Sequence, residues 1–173
     1  MKAILIFVMS ISIVLCVYGK GKTVQGTAFA GKDYKLLFPA TWEINDKGFM
    51  GTDVIALSPV ENAKDKLREN VCVVLENIPA SMTDAKYLEL TLANLDKMFG
   101  GFSDKKFVKL KVGKHQGYHL HYSAQVGINK MDNDVYIVRQ GRAVYVITCS
   151  HAKGKRDSFK STMDSIIKTF AIE

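Results

Sequence analysis

The stretch Glu69–Leu95, ENVCVVLENIPASMTDAKYLELTLANL, decides the fold. Val71-Cys72-Val73-Val74-Leu75 is an unbroken apolar run rich in β-branched residues. Such side chains suit a pleated surface, and a run without polar alternation suits a strand covered on both faces. Pro79 closes the segment too early for a buried helix. The period then changes. Leu88, Leu92, Leu95 and Phe99 recur at helical spacing, widened by Tyr87, Leu90 and Met98, while Lys86, Glu89, Asn94 and Asp96 fall largely opposite. That is an amphipathic helix lying on a core. Thr83 is its expected N-cap, Asp84 places negative charge at the positive end of the helix dipole, and Gly100-Gly101 ends it.

A strand and a helix of this kind need further strands, and the flanking sequence supplies them. Thr27–Phe38 predicts one or two strands, and Val54-Ile55-Ala56-Leu57 a short one closed by Ser58-Pro59. Phe107–Val112 alternates, with Lys109 and Lys111 facing away from Val108, Leu110 and Val112. Lysines so placed fit an edge strand, where charge discourages unwanted pairing. From Gly117, residues Tyr118, Leu120, Tyr122, Ala124 and Val126 share one face, and His119, His121, Ser123 and Gln125 the other. Val135–Arg139, a Gln140-Gly141 turn and Arg142–Cys149 read as a hairpin whose second arm is apolar on both faces. From about Asp157 a second helix buries Phe159, Met163, Ile166, Ile167 and Phe170. The expected fold is α+β: one antiparallel sheet of about six to seven strands with helices packed on it, both faces covered.

The chain has 173 residues, 47% of them hydrophobic and 24% charged, which places residues 20–173 as a single domain with a true core. No repeat or low-complexity tract divides it. Lys2 followed by the uncharged run Ala3–Val17 has the length of a signal-peptide h-region and is short for a membrane span. Val17-Tyr18-Gly19 offers a cleavage site, so residues 1–19 read as a signal peptide. The alternatives are lipidation of Cys16, where Leu15 stands in place of the usual small residue, and an uncleaved anchor. Export to the periplasm or beyond leaves Cys72 and Cys149 as an even pair in an oxidising compartment. They form a disulfide only if their strands bring the Cα atoms within about 7 Å, and otherwise act as buried apolar thiols.

The net charge of +7 reads first as solubilising surface. Its clusters, Lys105-Lys106 with Lys109, Lys111 and Lys114, then Lys153, Lys155, Arg156 and Lys160, could also meet an acidic protein or an anionic membrane. The stacking-plus-basic motifs of RNA-binding modules are absent, so nucleic acid is not an expected partner. His119 and His121 point the same way from one strand, and such a pair can bind zinc or copper once a further ligand arrives. His115 or His151 could serve only if the fold brings it near. Otherwise the pair is polar decoration on an outer or helix-covered face. Cys149-Ser150-His151 invites a nucleophile reading, but adjacency in sequence does not place a base on a nucleophile. No nucleophile elbow, phosphate loop or carboxylate pair accompanies it. No catalytic, cofactor or metal site is therefore assigned.

Taken in order, Phe38-Pro39-x-x-Trp42, Arg68-Glu69-Asn70-Val71-x-Val73-Val74 leading to Pro79, and Gly117-Tyr118-x-Leu120-x-Tyr122 form a pattern. The Gly141 hairpin into Tyr145-Val146-Ile147-Thr148-Cys149 and the closing Phe170-Ala171-Ile172 complete it. This resembles the PsbP-like superfamily, in particular its bacterial exported, DcrB-like branch. The resemblance implies an α/β/α sandwich around an antiparallel sheet and no particular activity. Related folds serve as an extrinsic subunit of photosystem II and as a nuclear import factor binding the GTPase Ran. No functional residue carries over. Phe38 and Trp42 read as an aromatic clamp on the core. The functional expectation is an exported, non-catalytic binding or assembly module of the cell envelope, with an envelope protein as partner. The alternative is a carrier of a small apolar ligand or lipid between the sheet and one helix, and an enzyme ranks behind both.

Overall fold

A computed structural model of the chain describes residues 26–63, 67–99, 106–126 and 129–173. The predicted leader, its cleavage site and Cys16 lie outside the described residues, as do Gly100-Gly101 and Lys105. No helix of the described residues is long and apolar enough to cross a membrane.

The β-branched run forms β5 (Asn70–Asn77) at the heart of a seven-stranded sheet. Its order is β3 (Glu43–Asn45), β4 (Val54–Leu57), β5, β9 (Ala143–Ala152), β8 (Asn129–Gln140), β7 (His115–Val126) and β6 (Val108–Val112). Every neighbouring pair is antiparallel. A smaller sheet orders β1 (Gly26–Gly31), β2 (Tyr34–Pro39) and β10 (Ala171–Ile172). The sequence reading missed this second sheet, because two residues at the C-terminus carry no strand period of their own. Strand β1 begins at Gly26, one residue before the expected Thr27, because Gly26 already pairs with Pro39.

Period-two alternation along β8 and β9 divides the core into two clusters. Tyr136, Val138, Tyr145, Ile147 and Cys149 belong to the first, with Val71, Val73 and the small sheet's Tyr34, Leu36 and Phe38. Helix α2 (Arg156–Lys168) adds Met163, Ile166 and Ile167 to it, and Phe170 follows. Tyr34, Tyr145 and Phe170 meet there with ring centroids 5.6–6.1 Å apart. Val135, Ile137, Val144, Leu120 and Tyr122 point the other way into the second cluster. Leu88, Leu92, Leu95 and Phe99 of α1 (Asp84–Phe99) pack against that cluster. The Thr83 hydroxyl caps α1 by accepting the Lys86 N–H at 3.2 Å. Trp42 is 8% exposed within the first cluster, as a clamp requires.

Two turns depend on glycine. Gly141, at φ +62°, opens a two-residue β8–β9 turn one position later than expected. This is the first central position of a type II′ turn, where glycine meets no steric cost. Gly113, at φ +56°, lets the β6–β7 turn approach Phe170, and a Cβ there would stand 1.9 Å from the Phe170 carbonyl oxygen.

The register decides the cysteine question. Val71 pairs with Cys149, and Cys72 with Thr148. The two cysteines are thus diagonal neighbours on opposite faces of the sheet, and their Cβ vectors diverge. Both thiols are free, because a disulfide needs converging Cβ vectors as well as close Cα atoms.

Candidate functional site

Ionisable side chains converge where β7, β8 and β9 run beneath the first turn of α2. Ladder pairing sets Asp134 of β8 between His121 and Cys149, and Asp132 between Ser123 and His151. His119, His121, Asp132, Asp134 and His151 therefore share one sheet face, the face that α2 covers. Sequence reasoning singled out three of these histidines and missed their hub. Met131-Asp132-Asn133-Asp134 falls outside the strand expected at Val135–Arg139, yet it belongs to β8, which begins at Asn129.

Asp134 is 7% exposed. Its Oδ1 accepts hydrogen bonds from His119 Nε2 at 2.7 Å and His121 Nδ1 at 3.3 Å, which assigns the ring protons to those nitrogens. Arg156 donates through Nη2 to Oδ1 at 3.0 Å and through Nε to Oδ2 at 3.2 Å. His151 Nε2 lies 3.6 Å from Oδ2. Burial by itself raises the Asp134 pKa, but the hydrogen bonds from His119 and Arg156, with the His151 ring close by, outweigh it and hold the carboxyl far below the usual range. Asp132 behaves alike. Burial works against its charge, while bonds from the Ser123 hydroxyl and the Gly154 N–H lower its pKa overall. The His119 ring also stacks on Tyr136, centroids 4.8 Å apart.

One residue beyond the Asn70–Ser150 pair, the β5–β9 register sets Glu69 beside His151. Glu69 is fully buried. It accepts the Ser58 hydroxyl at 2.9 Å and lies 3.7 Å from Lys155 Nζ. The cluster thus rivets the start of α2 to three strands: Arg156 to Asp134 of β8, Lys155 to Glu69 at the start of β5, and Asp134 in turn to His119 and His121 of β7.

This arrangement suits support better than chemistry. A carboxylate held so far below its usual range is a weak base. The remaining space, beside Asp134, Tyr136, His151 and Arg156, is about 20 Å3, room for roughly one water. The Cys149 thiol faces the core, and burial pushes its pKa well up, so it stays protonated and inert. Ser150 points to the other face and donates to Asn133 Oδ1 at 2.7 Å, away from His151. The sequence triplet is split by the sheet. His115 stands apart from the other histidines, accepting the Ile172 N–H at 3.2 Å and meeting Phe170 edge-on. Asp134 Oδ1 occupies the point between His119 and His121 that a bridging metal would need. Among the described residues no group of three or more His, Cys, Asp or Glu side chains is arranged to hold a metal ion.

A second concavity lies between β2 and α2, lined by Leu37, Pro39, Ile166 and the hydroxyl-bearing Ser161, Ser165 and Thr169. Its volume is about 260 Å3. Two of its hydroxyls are already spent: Ser165 and Thr169 donate to carbonyls of α2, and Thr169 accepts the Leu37 N–H.

No protein-family model and no curated protein matches the sequence. Solved structures do. The cyanobacterial PsbP (CyanoP) of Synechocystis sp. PCC 6803 superposes with a TM-score of 0.64 at 19% identity, covering 92% of this chain and 99% of that one. LpqN of Mycobacterium tuberculosis, a protein involved in cell envelope biogenesis, gives 0.58 at 14% identity, covering 87% of each chain. The Saccharomyces cerevisiae Ran-binding protein Mog1p gives 0.54 at 10% identity, covering 81% of this chain and 90% of that one. The fold is PsbP-like, as the sequence motifs implied.

Proposed function

We propose that this chain is an exported, non-catalytic binding or assembly module of the cell envelope. The observation that carries the reading is the closed packing of the Asp134 cluster. Asp134, His119, His121 and Arg156 are engaged with one another in holding α2 to the sheet, and the space beside them is about 20 Å3, which admits no substrate. An enzyme needs a polar cleft with groups free to react. The fold relatives agree in kind: LpqN takes part in envelope biogenesis and Mog1p binds another protein, Ran. The apolar Ala3–Val17 leader supports export. Crosslinking in the native cell, followed by pull-down and mass spectrometry on protein with a mapped N-terminus, is expected to return one reproducible envelope partner. No partner from exported, folded protein would overturn the proposal.

Ligand carriage is the second reading, favoured by the groove between β2 and α2. At about 260 Å3 it falls just short of the roughly 300–1,000 Å3 of small-molecule sites. Native mass spectrometry of the purified protein decides it: a co-purified lipid would replace the first reading, and a bare chain mass would dispose of the second.

A further inference from the structure

The binding-module reading leaves open where a partner attaches, and the sheet has one edge suited to it. β6 is the last strand in the sheet order, and among the described residues it pairs with β7 alone. In an antiparallel edge strand every second residue turns its N–H and C=O away from the sheet, so one row of backbone groups looks outward. The other end of the sheet, β3, is only three residues long, and its Glu43 is engaged by Arg68 at 2.7 Å. β6 offers five residues.

The charge along this edge has one sign. From Lys106 to Met131 the chain carries Lys106, Lys109, Lys111, Lys114 and Lys130 and no Asp or Glu. Lys106, Lys109, Lys111 and Lys114 are exposed, and none of them forms an ion pair among the described residues. Lys109 Nζ lies 6.0 Å from the Tyr118 ring centroid, which gives that ammonium a preferred place beside the strand. On the opposite face, Val108 is 55% exposed. The edge thus combines three things: an open backbone row, cations on one side and an uncovered valine on the other.

We propose that β6 is a strand-addition site for an extended, acidic segment of a partner protein, with carboxylates facing Lys109 and Lys111 and an apolar side chain on Val108. Main-chain hydrogen bonds supply the attachment, and alternate side chains supply the choice. The same lysines act in the opposite sense on a second copy of this chain, whose β6 is equally cationic, so the edge refuses itself and selects an acidic strand. An anionic membrane answers the charge but not the outward backbone groups, which only another backbone completes.

The proposal rests on the binding-module reading, and its test separates the two. The full chain, processed as in its native cell, is mixed with a synthetic peptide of about eight residues alternating Glu with Val. Binding is expected, with amide exchange slowed within Val108–Val112. The exposed double substitution Lys109→Glu, Lys111→Glu is expected to weaken it by on the order of tenfold at roughly 0.1 M salt, with unchanged circular dichroism. A peptide N-methylated at alternate residues is expected not to bind, because the ladder is broken while the charge is kept. Binding that survives N-methylation, or slowed exchange elsewhere, overturns strand addition. Protection of β6 by vesicles of anionic phospholipid but not by the peptide overturns it in favour of a membrane. An envelope partner whose crosslinks lie away from β6 overturns it and leaves the binding-module reading standing.

Discussion

Asp134→Asn tests whether a buried carboxylate fastens α2 to the sheet. The side chain is 10% exposed and takes bonds from His119 at 2.7 Å and from Arg156 at 3.0 and 3.2 Å. A hydrogen bond to a charged group contributes about 1.5–3 kcal/mol net. Asparagine keeps the shape, removes the charge and turns an NH2 donor toward Arg156 or His151. The Arg156 side chain is 39% exposed and recovers water, so the full cost of stranding a buried cation does not apply. The expected loss is about 3 kcal/mol at neutral pH, read as a lower urea midpoint at unchanged slope. The pH dependence supplies a second signature. The Asp134 pKa is depressed in the fold, so its contribution is fully present above the unfolded value of about 3.9 and is lost as pH falls toward the folded value. Down to about pH 2, the difference between wild type and variant shrinks by about 1.4 kcal/mol per unit, about 2.6 kcal/mol in all. Equal midpoints at neutral pH, or a difference that stays flat from about pH 4 to pH 2, would refute the reasoning.

Two further outcomes test the packing. Trp42→Ala empties a core position beside Phe38, and thermal or urea denaturation should register a loss of about 3–5 kcal/mol; unchanged stability would contradict the clamp. Cys72 and Cys149 occupy opposite faces of the sheet. A thiol reagent should therefore find two free thiols per processed chain after unfolding without reductant, and added reductant should leave the melting temperature unchanged. A mass two units lower, or a melting point that drops with reductant, would contradict the register.

How much of this was legible in the sequence depends on how far apart the determining residues lie. The chain's own pattern determined the element types: Val71–Leu75 as a covered strand, Leu88 to Phe99 as an amphipathic helix, Gly141 as a hairpin turn and Lys109 with Lys111 as a sheet edge. Each is a matter of period, steric freedom or charge among near neighbours in the chain, where sequence and space coincide. The small sheet was not legible, since β10 acquires its partners only when α2 has returned the C-terminus to β2. The site was half legible. His119 and His121 announced a shared face through their spacing, but nothing local announced that Asp134, on the next strand, would sit between them. The polar stretch Met131–Asp134 falls outside the expected strand, because its burial becomes tolerable only after His119, His121 and Arg156 arrive from β7 and α2 to compensate the charge. The same holds for Cys72 and Cys149: composition marked both as buried, and only the pairing register of β5 with β9 turned their side chains to opposite faces. Period is written in each segment, whereas register and the neutralisation of buried charge belong to pairs of segments and exist only once those segments meet.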